Sequence, residues 1–150
     1  MAPTGTLHIE IYPDYNRLLV YRNGIQIGAS TLSAGKEGHA TPPGNYKILQ
    51  KSINHRSNLY GSFVDATTGT VVRKDVGNRD PVPPGAVFKG ASMPYFMRLT
   101  NDGVGLHAGY LPGYNASHGC IRLPNGFAER LYAEVRVGTL VRVHNRTLAP

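Results

Sequence analysis

The chain has 150 residues, 41% of them hydrophobic, enough for one domain with its own core and too short for two comfortable ones. The 16 Lys and Arg against 9 Asp and Glu give a net charge of +7, but the cations are scattered singly without a basic helix, which argues against nucleic acid and leaves a solvated basic surface or an anionic partner. The one cysteine excludes an internal disulfide and a Cys-rich zinc site, and no apolar run approaches the roughly 18 residues of a membrane span.

The start Met1-Ala2-Pro3-Thr4-Gly5 lacks a basic region followed by an apolar core, so no export signal is expected in the chain as given. Leu7, Ile9 and Ile11 alternate with His8 and Glu10, which predicts a strand. Leu18, Val20, Ile25, Ile27 and Ala29 flank Asn23-Gly24, the pair best suited to a tight type I′ turn, and predict a hairpin. Ser33 to Gly44 reads as a loop through Gly35, Gly38 and Thr41-Pro42-Pro43-Gly44, and Tyr46 to Ile53 resumes a strand pattern.

Asn54 to Gly90 has few large apolar residues, mixed charges and the turn-forming Pro81-Val82-Pro83-Pro84-Gly85. A stretch of this length in a compact domain is expected to form a surface flap on the substrate side. Met93 to Thr100 and Val104 to His107 resemble two strands joined by the turn Asn101-Asp102-Gly103, which delivers His107 at a strand end. Asn125 is placed to cap a helix with Phe127, Leu131, Tyr132 and Val135 at helical spacing, Gly138 to stop it, and a final strand from Leu140 to Val143. The fold class expected is mainly β, a sandwich or partly closed barrel of short strands with one α-helix after the cysteine loop, in a single domain spanning 1–150.

The chemistry concentrates between His107 and Asn125. An isolated cysteine is most often a small buried hydrophobe. Cys120 instead follows His118-Gly119 and precedes Arg122 and a predicted helix start, and both a helix N-terminus and nearby cations favour thiolate over thiol. Gly119, without a side chain, lets its own and the Cys120 backbone N–H approach a developing oxyanion. His107 lies 13 residues before Cys120, and Gly109, Pro112 and Gly113 let the chain fold back between them, so His107 is the candidate base. Zinc ligation by His107, His118 and Cys120 is disfavoured, because His118 and Cys120 are one residue apart and the segment holds no Glu. Arg122 is either a structural ion-pair partner or a bidentate carboxylate ligand. His8, His39, His55 and His144 are read as solitary structural or surface residues.

These residues resemble the catalytic motif of the L,D-transpeptidases with a YkuD-type domain: a His, a short loop, then Ser/Thr-His-Gly-Cys-aliphatic-Arg/Asn, here His107 and Ser117-His118-Gly119-Cys120-Ile121-Arg122. Thr41-Pro42-Pro43-Gly44, Met93-Pro94-Tyr95 and Gly138-Thr139-Leu140-Val141 resemble further segments of that family, and Ala108 stands where many members have Gly. The resemblance implies that Cys120 attacks a peptidoglycan stem tetrapeptide, expels its terminal D-alanine as a thioester forms, and passes the acyl group to a second stem as a 3→3 cross-link.

By the same resemblance, His107 is the base, oriented by the carbonyl of Ala108, and Gly119 and Cys120 form the oxyanion hole. Ser117, His118, Arg122 and Asn125, with Tyr95, shape the site and contact substrate. No metal or organic cofactor is implied. The partners are peptidoglycan stem peptides as donor and acceptor, the location the bacterial cell envelope, and the expected inhibitor class the carbapenems. Two other readings stay open: a carboxypeptidase or endopeptidase that releases the same thioester to water, and a noncatalytic envelope-binding module.

Overall fold

The computed structural model describes residues 6–34, 41–109, 111 and 120–144. The described residues fall into two compact units, one within 1–53 and 95–150, the other Asn54–Pro94. In chain order the strands are β1 (Leu7–Tyr12), β2 (Arg17–Arg22), β3 (Ile25–Thr31), β4 (Gly44–Lys47) and β5 (Gln50–Asp65). They continue with β6 (Val71–Gly77), β7 (Ala86–Arg98), β8 (Gly105–Ala108), β9 (Ile121–Leu123) and β10 (Leu140–Val143), with one helix, α1 (Asn125–Glu134), between the last two. The order β3-β2-β1-β10-β4 makes one five-stranded sheet and β6-β5-β7-β8-β9 the other. Both sheets are open, as a mainly β chain with one helix predicts, and the barrel alternative is not realised. No helix among the described residues is long and apolar enough to cross a membrane.

The first hairpin forms where its sequence demands it. Asn23 and Gly24 both take positive φ (53° and 79°), the combination a type I′ turn needs, and β2 and β3 pair antiparallel on either side. The closing strand β10 pairs parallel to β1, with His8 opposite Leu140 and Ile11 opposite Val143, so the two ends of the chain share the middle of the sheet. The expected strand from Tyr46 to Ile53 is broken at Ile48-Leu49. The Ile48 N–H donates to Thr139 and the Leu49 N–H to Arg98, so the chain leaves one sheet and enters the other at this point.

Inside the first unit, Ile9, Ile11, Leu18, Val20, Val141 and Val143 meet Met97, Leu106, Ile121 and Leu123 in one core. Ala128 and Leu131 of the helix and Val135 just beyond it join it, with Phe127 and Tyr132 half-buried beside them; Phe127, Leu131, Tyr132 and Val135 are the positions that helical spacing predicted. The helix differs at both ends from expectation. Pro124 occupies the cap, with Asn125 the first helical residue and no side-chain cap bond. The helix stops at Glu134 because Val135 turns extended (ψ 157°), four residues before Gly138, whose φ of +99° serves the following turn.

On the face of β1 away from that core, Glu10 is 9% exposed and takes both His8, at 3.1 Å, and His144 on its carboxylate oxygens. Tyr21 stacks on His8 and Tyr12 on His144. Two histidines read as solitary therefore share one buried carboxylate, a pairing set by strand register that residue spacing along the chain does not reveal. His39 lies outside the described residues.

Over 54–90, where few large apolar residues gave no strand pattern, the second unit is nonetheless ordered into strands. There β6 pairs antiparallel with β5, and Phe63, Val64, Val76 and Met93 are buried. The turn between β5 and β6 is held by Asp65, whose Oδ1 accepts the N–H groups of Thr67 and Thr68, which keep its carboxyl below the ordinary carboxylate range. The Gly61 and Gly90 backbones pass close to partner carbonyls: an added Cβ would lie 2.0 Å from the Lys89 oxygen and 1.9 Å from the Ser57 oxygen respectively. Glycine at both positions is what lets the backbones cross.

Candidate active site

Strand register assembles the site. Leu106 of β8 is opposite Ile121 of β9 and His107 is opposite Arg122, and Leu106 and Ile121 both point into the core. Side chains alternate along a strand, so His107 and Arg122 turn to the other face, and Cys120, immediately before β9, lies beside the Gly105 backbone. The turn Asn101-Asp102-Gly103, with Gly103 at φ +104°, leads into β8 and lines the thiol.

The Cys120 thiol donates to the Gly103 carbonyl at 3.4 Å and lies within reach of the Gly105 N–H. Burial raises its pKa above the ordinary thiol value, and the Asp102 carboxylate pushes the same way. The Gly105 N–H, Arg122 and Arg98 act in the opposite direction without overcoming the burial. This reverses the expected depressed thiol: the cations are present, but desolvation of the sulfur dominates. A thiol raised in this way calls for a neighbouring base if it is to serve as a nucleophile.

His107 is 6% exposed and its Nδ1 lies 2.7 Å from the Ala108 carbonyl oxygen. A carbonyl only accepts, so Nδ1 carries the hydrogen and Nε2 is left as the basic nitrogen. The predicted partnership of His107 with the Ala108 backbone is therefore present in the geometry. Arg122 is pinned by its backbone, which exchanges two hydrogen bonds with Ser33 at 2.8 and 3.0 Å. A Cβ at Gly109 would stand 3.2 Å from Arg122 Cγ and 3.3 Å from His107 Cε1, so Gly109 fills the narrow space between these two side chains.

Asn125 is exposed at the first turn of α1, two residues beyond β9. Tyr95 is engaged with the helix: its hydroxyl donates to Glu129 at 2.8 Å and its ring meets Tyr132 edge-on at 5.7 Å. Its φ of +55° is unusual for an aromatic residue and is retained through these contacts. Ser117, His118 and Gly119 lie outside the described residues. Among the described residues no cluster of three or more His, Cys, Asp or Glu is placed to hold a metal. Residue spacing did not reveal Gly103, Gly105, Arg98 and Asp102 around the thiol, because their proximity arises from the pairing of β7, β8 and β9. The only signal available was the Asn101-Asp102-Gly103 turn, read for its shape alone.

The family model of the L,D-transpeptidase catalytic domain (YkuD) matches residues 6–143. No curated protein matches the chain. Among solved structures, an L,D-transpeptidase from Mycobacterium smegmatis is similar with a TM-score of 0.72 at 22% identity, covering 94% of this chain and 59% of that one. LdtMt1 in complex with imipenem is similar with a TM-score of 0.70 at 22% identity, covering 93% of this chain and 59% of the other. L,D-transpeptidase 3 from Mycobacterium tuberculosis gives 0.68 at 22% identity, with 94% and 62% covered. At such identities the likeness establishes a shared fold, and the chain spans less than two thirds of each of these proteins. The match over nearly the whole chain places it in a family: the chain belongs to the L,D-transpeptidase catalytic domain family.

Proposed function

We propose that this domain is a cysteine acyltransferase acting on peptidoglycan stem peptides in the bacterial cell envelope. The observation that carries the reading is that the pairing of β8 and β9 sets His107 opposite Arg122, with Cys120 immediately before β9, and that His107 Nδ1 is committed to the Ala108 carbonyl with Nε2 basic. In the proposed reaction His107 Nε2 takes the thiol proton as sulfur attacks the carbonyl carbon of the third residue of a stem tetrapeptide. The negative charge on the carbonyl oxygen is received by the Gly119 and Cys120 N–H groups. Collapse breaks the bond to the terminal D-alanine, whose nitrogen takes the proton from His107, leaving a thioester on Cys120.

A side-chain amine of a second stem then attacks the thioester, loses a proton to His107, and forms the 3→3 cross-link as the thiol is restored. Arg122, with Ser117, His118 and Asn125, contacts the carboxylates and amides of the stems. The Tyr95 contacts with Glu129 and Tyr132 support a role in bracing the helix that follows the site. No cofactor enters these steps.

Incubation with purified stem tetrapeptide, read by mass, tests the reading: a cross-linked dimer is expected. Tripeptide alone moves the assignment to hydrolysis of the same thioester, and no turnover by a folded protein overturns it. Intact-mass measurement after exposure to imipenem is expected to show one adduct, mapped to Cys120 and lost in Cys120→Ala.

A further inference from the structure

We infer that Thr100 is a positioning residue for the Cys120 thiol, acting through a single peptide group, and that the hydrogen-bond chain it anchors holds the hydrogen on the resting sulfur. The inference rests on the reading of Cys120 as nucleophile. It concerns a hydroxyl in the turn that joins β7 to β8, well before the motif around the cysteine in the sequence. Thr100 ties this turn at every polar atom it has. Its C=O accepts the Gly103 N–H at 3.3 Å, its N–H donates to the Val104 carbonyl at 3.1 Å, and its Oγ1 accepts the Val104 N–H at 3.0 Å. A hydroxyl also has one hydrogen to give, and that of Thr100 goes to Asp102 Oδ1.

The Val104 N–H and the Gly103 C=O belong to one peptide group. A trans peptide is planar, with its N–H and C=O pointing in opposite directions, and this one is trans. Fixing the N–H on Thr100 Oγ1 therefore aims the carbonyl the other way. On that side it accepts the Cys120 S–H at 3.4 Å. The donors run in one direction: Cys120 S–H to Gly103 C=O, Val104 N–H to Thr100 Oγ1, and Thr100 O–H to the Asp102 carboxylate.

Hydrogen bonds joined head to tail polarise one another, by roughly 10–30% per bond. An anion at the end makes Oγ1 a better acceptor, and each link passes the gain on towards the Gly103 carbonyl. A thiol is a weak donor, so the strength of its acceptor decides how firmly it is held. A bond made by the protonated form also disfavours ionisation. The charged and titratable groups about the sulfur are His107 from β8, Arg122 from β9, Arg98 from β7 and Asp102 from the turn. The chain of bonds acts beside them, keeping the hydrogen on sulfur until His107 Nε2 takes it.

The chain's single cysteine makes the test direct, because the S–H stretching band in the infrared comes from Cys120 alone and disappears in Cys120→Ala. A hydrogen-bonded S–H absorbs at lower frequency than a free one. Thr100→Val, which keeps the shape and removes the hydroxyl, is expected to move the band up, and Thr100→Ser, which keeps the hydroxyl, to leave it at the wild-type frequency. A Thr100 that only stabilised the turn would lower the thermal midpoint in Thr100→Val and leave the band in place. That result overturns the inference, as does a Thr100→Ser band displaced as far as that of Thr100→Val.

Iodoacetamide alkylation at pH 7, read by intact mass, is expected to run about two- to ten-fold faster in Thr100→Val than in wild type, the worth of one hydrogen bond between neutral groups. Equal rates in a folded variant overturn the inference, and so does a faster rate with an unmoved band, which reports exposure of the sulfur. If Thr100→Val fails to fold, Asp102→Ala, at the exposed end of the chain of bonds, is expected to move the band the same way by a smaller amount, and an unmoved band overturns the inference. Both readouts use the resting protein without stem peptide. Failure of imipenem acylation would therefore sink the functional reading while leaving these measurements interpretable.

Discussion

The imidazole of His107 is oriented by the backbone of Ala108, its next residue, through the 2.7 Å contact of Nδ1 with the carbonyl oxygen. Because the orienting group is a carbonyl, the side chain at 108 is dispensable for it. Ala108→Gly is expected to keep imipenem acylation within a few-fold of wild type. His107→Ala is expected to lower it by about 10²–10⁴, the usual worth of a positioned base. Single-turnover adduct formation followed by mass checks both, and a wild-type rate in His107→Ala would remove His107 from the mechanism.

The half-buried thiol links the site to stability. Its pKa is raised in the folded protein, chiefly by burial, so above the pKa of an exposed thiol, about 8.5, the unfolded chain sheds a proton that the folded chain keeps. The unfolded state then binds fewer protons, and stability falls as pH rises through the window between the two values. Below about 8.5 this contribution is fully present. Tyr12 and Tyr46, also raised by burial, steepen the alkaline loss in any variant that retains them. Urea unfolding at pH 7, 9 and 10 is therefore expected to show a shallower decline for Cys120→Ser than for wild type, and parallel declines would contradict the burial of the thiol.

Local chemistry made parts of this molecule legible. Asn23-Gly24 specifies its own turn, and the alternation of Leu7, Ile9 and Ile11 specifies a buried strand face, since both signals act over a few residues. The His107 and Cys120 motif was equally legible, because a lone thiol among a histidine, a glycine and an arginine is a local pattern. What escaped depends on register: the pairing that sets Gly105 beside the thiol, and the Glu10 carboxylate shared by His8 and His144, join residues far apart in sequence. The 54–90 strands escaped for a related reason, since their pairing relies on close backbone crossings at Gly61 and Gly90 more than on a long apolar pattern. The thiol pKa was misjudged because the cations are visible in sequence and the burial is not.

Gly109 separates the His107 and Arg122 side chains of the candidate site. The contacts of 3.2 and 3.3 Å that a methyl group would make fall on the flexible Arg122 stem and on the His107 ring, which is fixed by Ala108. Arg122 can yield by a few tenths of an ångström, so Gly109→Ala is expected to fold with nearly unchanged thermal stability. Its cost appears in the site: imipenem acylation slows several-fold and the apparent affinity for carboxylate-bearing stem peptide weakens. Calorimetric unfolding alongside acylation kinetics checks this, and a stability loss without a kinetic effect would mean that Arg122 and His107 do not shift.

Gly105 offers no such relief. A Cβ there would lie 2.5 Å from the Met97 carbonyl oxygen and 2.6 Å from Phe96 Cε1. Met97 and Arg98 pair with β8 at this point, and Phe96 is fully buried, so neither neighbour can withdraw without opening the β7 and β8 pairing. Forcing a methyl group into a packed site of this kind costs about 1–3 kcal/mol, roughly 2–12 °C in thermal midpoint for a chain of this size. Gly105→Ala is expected to lose that much and also to disturb the amide that faces the Cys120 sulfur. Gly126→Ala is the matched control: it lies in the first turn of α1 with nothing within 4 Å of an added Cβ. Alanine's better helix propensity there leaves stability equal or higher, by up to about 1 kcal/mol. Thermal unfolding of the two variants side by side is decisive, because equal midpoints would mean that the space at Gly105 is not required.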